Sequence, residues 1–197
     1  LAGLTTLGTD VITVTITGGA ATITQLKAIN EATAGTITLN AATIGADYSG
    51  TAANLAAAFF GITTHTGGLT ITGVAATIAE LVVINTATAG GITLSAATKA
   101  ENYSDTAANL AAAFFGITTH TGNLVISEGS TATISELVAI NAATSGGITL
   151  SAATKAENYS EQAANLAVAF LGTTGHTGNL TITGGAATIT QLKAINE

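Results

Sequence analysis

The 197 residues include no cysteine, so disulfides, thiolate metal sites and cysteine nucleophiles are excluded together. Lysine and arginine total four against eleven acidic residues, a net charge of −7. Phosphate binding needs clustered basic side chains, so nucleic acid is not an expected partner, and an anionic membrane surface is disfavoured for the same reason. Apolar runs such as Leu110–Phe115 fall far short of the roughly 20 residues of a membrane-crossing helix, so no membrane insertion is expected. No basic start followed by an apolar stretch reads as a signal peptide. Methionine is absent and the sequence begins at Leu1, which reads as a processed product or a piece of something longer. Tryptophan and proline are also missing. Alanine, threonine and glycine dominate instead, the palette of an exported, repetitive structural protein more than of a cytosolic enzyme.

What is present is a repeat. "AENYSDTAANLAAAFFGITTHTGN" (Ala100–Asn123) returns as "AENYSEQAANLAVAFLGTTGHTGN" (Ala156–Asn179), with a looser copy at Gly45–Gly68. Tyr48, Tyr103 and Tyr159 mark the period, and His65, His120 and His176 keep the same spacing. "ATITQLKAIN" (Ala21–Asn30) has counterparts at Ala76–Asn85, Ala132–Asn141 and Ala187–Asn196. Thr15–Glu31 recurs without change at Thr181–Glu197, a superperiod of three repeats. This gives a variant start or joint at 1–13, repeats at 14–68, 69–123 and 124–179, and a partial fourth at 180–197. The last stops inside its unit, as though the array continues or the next molecule continues it.

Within one repeat, "GLTITG" (Gly68–Gly73) alternates apolar residues with threonine between glycines, a strand signal. Thr77 and Glu80 then have capping-box spacing, as do Thr22/Gln25, Thr133/Glu136 and Thr188/Gln191. Ile78, Leu81 and Ile84 follow on one side of a predicted helix. "GGITLSA" (Gly90–Ala96) reads as a second strand, "TKAENYSD" (Thr98–Asp105) as a polar turn, and "TAANLAAAFF" (Thr106–Phe115) as a second helix with Ser49, Ser104 and Ser160 as N-caps. Each repeat is thus predicted as strand, helix, strand, helix. One such unit is too small to bury its own faces, whereas stacked units share a continuous core. The expected fold is α/β: a repeat solenoid with parallel strands and short Ala-rich helices, about three units of about 55–56 residues, with a coil of either about 27 or about 55 residues.

At "DTAANLAAAF" and "ATIAELVVIN" the sequence resembles the Ala/Thr-rich tandem repeats of very large secreted bacterial cell-surface proteins, especially cyanobacterial ones, which carry "DTAANL" and "ATIxxLxAIxAAT" patterns. The likeness covers nearly the whole chain after about Val14. It implies secretion to the cell surface or the extracellular space, and a role as adhesin, sheath, motility or filament component. Such repeats have no catalytic residues to carry over.

Several residue sets invite chemistry. His65, His120 and His176 would form a column able to bind a metal or to sense pH, although the plainer reading is a solvated or hydrogen-bonded turn histidine. Glu101, Asp105, Glu157 and Glu161 suggest an acid–base pair or calcium, but the spacing of a calcium loop is absent and Gly45 and Gly50 replace or shift these groups in the first repeat. Lys99 and Lys155 read as partners in surface ion pairs with those acids. No G-x-S-x-G element accompanies the serines and histidines, and an enzyme is not expected. The Thr-x-Thr strands evoke an ice-binding row, broken at Leu124–Ser127. Asn102, Asn158 and Asn179 head glycan-acceptor triplets, but the first repeat has Asp47 in place of Asn102. Asn30, Asn85, Asn141 and Asn196 end the first helices and suit helix C-caps or an amide ladder.

Two functions are expected from different classes. One is a structural extracellular protein that assembles with itself, end to end, into a filament, sheath or surface layer. Its joints would be apolar residues of the terminal half-units: Val14, Ile16, Leu180, Ile182, Ile189, Leu192 and Ile195. The absence of an obvious polar capping repeat favours this reading. The other is an adhesin or spacer binding glycan or the cell envelope, with Tyr48, Tyr103 and Tyr159 as the rings to stack on sugar.

Overall fold

A computed structural model describes residues 10–196. Parallel strands alternate with helices throughout, in the α/β arrangement expected, and no sheet of the described residues closes into a barrel. Two compact halves, Leu1–Ala97 and Thr98–Glu197, divide inside the repeat at 69–123 and not at a repeat boundary. Residues 1–9 of the variant start, and Glu197, lie outside the described residues.

The first half runs β1 (Val14–Thr15), α1 (Ile23–Ala32), β2 (Ile37–Thr38), α2 (Ala41–Ile44), β3 (Tyr48–Thr51), α3 (Ala52–Phe59), β4 (Leu69–Thr72), α4 (Ile78–Ala87) and β5 (Ile92–Thr93). β1 pairs with β2, and β3, β4 and β5 form a sheet in that order, all parallel. α3 packs between α1 and α4. The division falls within α5 (Ala96–Ala100). The second half continues with β6 (Tyr103–Asp105), α6 (Ala107–Ala113), β7 (Leu124–Ile126), α7 (Ile134–Ala143), β8 (Ile148–Thr149), α8 (Ala152–Ala156), β9 (Tyr159–Gln162), α9 (Ala163–Ala169), β10 (Leu180–Thr183) and α10 (Ile189–Asn196). β6, β7 and β8 form one parallel sheet and β9 with β10 another. α7 packs on α6 and α9, and α9 on α10.

A repeat therefore holds three strands and three helices, not two of each. Strand partners follow one another from Tyr48 to Leu69, from Leu69 to Ile92 and from Leu124 to Ile148. The packed helices advance from Ile23 to Ala52 and from Ala52 to Ile78, so two coils make up one repeat and the coil has the shorter of the two lengths expected. The stretch read as a polar turn, Thr98–Asp105, holds the end of a short helix and the third strand. Ser49, Ser104 and Ser160 consequently lie within strands. The N-caps of α3 and α6 are Thr51 and Thr106, whose hydroxyls accept from the amides of Asn54 and Asn109. At the same place in α9, Gln162 makes no side-chain cap. Gln162→Thr should therefore stabilise the protein by about 0.5–1 kcal/mol, read as a raised urea midpoint at unchanged slope.

The capping boxes form as the sequence predicts: Thr22, Thr77 and Thr133 each accept from the residue three on, whose side chain returns to the cap amide. The extra residue of the longer repeat is absorbed between strand and helix, since Ile134 begins ten residues after Leu124 but Ile78 nine after Leu69. Helix and strand registers are thereby preserved.

Leu26, Leu55, Leu69, Ile71 and Leu81 fill the first core, and Leu110, Leu124, Ile126 and Leu137 the second. Each fully buried side chain of this kind contributes about 1.5–3 kcal/mol. Polar groups lock neighbouring coils. The buried Thr43 hydroxyl accepts from the Ala21 amide at 3.0 Å, and the Tyr48 hydroxyl donates to the Ala21 carbonyl at 2.7 Å. Thr154 and Tyr159 do the same for Ala132. Buried backbone groups need such partners. Asn30 does not end its helix in a left-handed cap, and no described residue other than glycine has positive φ. Its amide reaches over α3 and donates to the Phe60 carbonyl at 2.7 Å, and Asn141 does likewise to Leu171.

Candidate functional site

His65 and His120 are not turn residues in solvent, and His176 is part-buried and hydrogen-bonded. His65 and His120 are each 1% exposed, and neither ring nitrogen of either has a hydrogen-bond partner. His65 lies 4.8 Å from the Phe59 ring and 5.5 Å from Tyr48, centroid to centroid. His120 repeats this with Phe114 at 4.7 Å and Tyr103 at 5.6 Å, and His176 with Phe170 at 4.7 Å and Tyr159 at 5.6 Å. His176 alone has a polar partner, its Nε2 lying 3.0 Å from the Glu157 carbonyl. The strand after the short helix supplies the tyrosine, the end of the next helix the phenylalanine, and the return loop the histidine. The histidine backbone is pinned as well: the His65 amide donates to Ala87 and its carbonyl accepts from Ala89.

Burial pushes the pKa of all three rings below the ordinary imidazole value. The backbone of Thr43 and the carboxylate of Asp47 oppose this in part at His65, without a hydrogen bond to the ring. The backbone of Thr98 opposes it at His120, and that of Glu157 at His176. The fold thus favours neutral rings, while the unfolded chain takes up protons near pH 6.5. Between the two pKa values the unfolded state binds more protons. The contribution is therefore intact above about pH 6.5 and lost as pH falls below it. The urea midpoint should be lower at about pH 5 than at about pH 7.5, and most of that difference should vanish in a His65→Phe/His120→Phe variant.

The acidic candidates do not converge. Asp105 accepts from the Thr106 amide at 2.7 Å and the Asn109 side chain at 2.8 Å, and Glu161 from the Gln162 amide at 2.8 Å, so both serve the starts of their helices. No group of three or more His, Asp or Glu able to hold a metal ion occurs among the described residues. Lys99 and Lys155 form no ion pair there, whereas Lys27 pairs with Glu31 at 3.8 Å. The Asp47/Asn102/Asn158 position has a structural task that either residue type performs. Its side-chain oxygen accepts from the amide of Gly68, Asn123 or Asn179 and fixes the next coil. That explains the aspartate in the first repeat, where the glycan-acceptor pattern breaks. Tyr103 and Tyr159 are buried, and burial with the charges of Glu157 and Glu136 pushes the Tyr159 phenol up to about 12. These rings do not offer a face to sugar.

The sequence reading missed the apolar residues that the helix faces leave exposed. Phe60, Phe115 and Leu171, equivalent in the three repeats, are all solvent-exposed. Beside Phe60, an open groove of about 380 Å³ runs along α1, α3 and α4, lined by Ala56, Ala57, Val83 and Glu80. The repeated letters "FF" and "FL" held the signal: one member points into the cluster, the other out. No protein-family model, curated protein or solved structure matches the chain.

Of the residues expected at the joints, Ile182, Ile189 and Leu192 are exposed and Leu180 and Ile195 part-buried. Val14 lies in β1, and Ile16 follows it, donating its amide to Thr38; both are part-buried. Leu180 and Ile182 lie in β10, and Ile189, Leu192 and Ile195 in α10. Ile189 is 86% and Leu192 46% exposed, although Leu26, at the position of Leu192 in the identical segment, is 1% exposed. In the second half, α7 has helices on two sides and β7 strands on two sides; α10 packs on α9, and β10 pairs with β9. No helix of the described residues is long and apolar enough to cross a membrane.

Proposed function

We propose that this is a structural, extracellular repeat protein that associates with itself, end to end, into a filament, sheath or surface layer. One observation carries the reading. The segment Thr15–Glu31, which the following coil covers through the pairing of β1 with β2 and the contacts of Thr43 and Tyr48 to Ala21, recurs letter for letter at Thr181–Glu197, so a surface shaped for one copy accepts the other. Repeat arrays bury such faces against the next unit, and an uncovered strand edge is a template for another chain. The composition and the likeness to large bacterial surface proteins support secretion. The polar groups that could do chemistry hold neighbouring coils together instead, so the role proposed is architectural and not catalytic, with no cofactor.

Electron microscopy of the purified protein, with power spectra of any fibres, tests this. Fibres with an axial period equal to three repeats are expected. Dispersed particles at all concentrations would remove self-assembly. A second reading, an adhesin or spacer, rests on the outward Phe60 and Phe115 rings, which suit sugar stacking as the buried tyrosines do not. A glycan-binding screen with Phe60→Ser/Phe115→Ser as the control decides it.

A further inference from the structure

We propose that the return loops at residues 61–68 and 116–123 are acid-opened latches. Protonation of the enclosed His65 or His120 frees its loop from the chain on either side while strands and helices stay in place, and the residue at 47 or 102 sets how strongly each loop responds. The latch needs no second copy, so it operates whether or not the protein assembles. Buried polar side chains in folded proteins are nearly always hydrogen-bonded, and one left without a partner calls for a cause. His65 and His120 are fully buried, and neither Nδ1 nor Nε2 of either ring has a partner. A neutral ring tolerates that enclosure. An imidazolium, with two N–H donors and no acceptor in reach, does not.

The groups around the two rings are the same but for one charge. His65 faces Tyr48 from β3, whose hydroxyl is committed to the Ala21 carbonyl, Phe59 from α3, and the backbone of Thr43 from α2. The turn after α4 brings Ala87, Ala89 and Thr88, whose hydroxyl donates to the Gly67 carbonyl. Asp47, just before Tyr48, is the charged group that acts on this ring. His120 faces Tyr103 from β6, Phe114 from α6, the backbone of Thr98 from α5, and Ala143, Thr144 and Ser145 after α7. Asn102 stands where Asp47 does, and neither Lys99 nor Glu101 acts on the His120 ring.

Each ring anchors a loop that is bonded to the chain on both sides. The Thr66 and Gly67 amides donate to the Ile44 carbonyl at 2.8 and 3.2 Å. On the other side the His65 amide donates to Ala87 at 3.2 Å, and its carbonyl accepts from Ala89 at 3.0 Å. Lys99, Ala143 and Ser145 serve the second loop in the same way. These bonds lie outside the helices and the strand ladders, so they can part while those persist. Gly61 and Gly116, at φ +73° and +71°, give each loop a hinge at its start. An opened loop returns its histidine to water and a pKa near 6.5, whereas burial holds the closed ring lower. Opening therefore takes up a proton between the two values. It is favoured as pH falls below about 6.5, by up to about tenfold per pH unit. Asp47 opposes burial at His65 and narrows the gap between closed and open values, which blunts the first latch.

Amide hydrogen exchange of the full chain at about pH 7.5 and about pH 5, each rate corrected for its intrinsic pH dependence and followed in low urea, tests the latch. Protection at His65, Thr66, Gly67 and Ala89, and at His120, Thr121, Gly122 and Ser145, should fall by up to about 30-fold at the lower pH. Added urea should leave these loop amides unchanged at both pH values while it lowers protection at the Leu81 and Leu137 helix amides, because a local opening exposes little surface. Asp47→Asn keeps an acceptor for the Gly68 amide, as Asn102 does for Asn123, and should deepen the acid loss in the first loop several-fold. Asn102→Asp should shrink it in the second. His65→Phe should abolish it in the first loop and spare the second. An acid loss that carries the urea slope of the helix amides would mean unfolding of the whole chain and overturn the latch, as would no acid loss at all. A loss in the first loop that Asp47→Asn leaves unchanged would overturn the role given to residue 47.

Discussion

Truncating Phe114 to alanine should cost about 3–5 kcal/mol, the range for deleting a buried aromatic ring from a packed core. Phe114 is 1% exposed and closes the second cluster against Tyr103 and His120. The cavity left behind would be bounded on one side by an imidazole with both nitrogens unpartnered. Water entering there would hydrate His120, so the acid sensitivity of the variant should shrink while its stability falls. Urea titrations of Phe114→Ala and the parent at two pH values measure both effects. Phe115→Ala is the matched control: its side chain is exposed, and the loss should stay below about 1 kcal/mol. A small loss at Phe114 with unchanged acid sensitivity would mean that the cluster does not shield the histidine.

The second large effect is expected from a single added methyl. Gly122→Ala places a Cβ in the Glu101 carbonyl, backbone against backbone, with no flexible side chain to give way. Overpacking of this kind costs about 1–3 kcal/mol or more, because β6 and β7 must part for the methyl to fit. Two controls separate crowding from the general cost of replacing glycine. Gly147→Ala approaches only the Asn123 side chain, at 3.3 Å, which can move. Gly116→Ala meets nothing within 4 Å and carries only the strain of φ +71°. Hydrogen exchange locates the damage: in Gly122→Ala the amides of Thr121, Gly122 and Ser127, which donate to Lys99 and Asp105, should lose protection first.

The repeat, the parallel α/β arrangement and the capping boxes were legible in the letters, since a helix of ten residues such as Ile78–Ala87 shows its periodicity and its Thr-x-x-Glu start. The third strand and the short helix were not. Tyr103–Asp105 is three residues long, too short for an alternation to appear, and its Glu-Asn-Tyr-Ser-Asp surroundings read as a turn. Histidine burial was hidden for a different reason. The neighbours of His120 in sequence are threonine and glycine, while the rings that enclose it come from residues 103 and 114. The cap was misplaced by two residues because serine and threonine are both good caps, and only the strand through Ser104 decides between them. Asn30 and Asn141 do not cap their own helices as expected, because each side chain reaches a carbonyl 30 residues further on, at the end of a neighbouring helix.

The turn between β7 and α7 admits one residue more than its counterpart and leaves the registers intact, and two distant stretches, Thr15–Glu31 and Thr181–Glu197, are identical. At the level of the gene, a crossover between the two stretches would add or remove the codons of three whole repeats at once. Every junction so created already exists in the protein, so no new packing has to arise for the array to lengthen or shorten. The array can then change length in steps of three repeats while every contact between coils stays as it is.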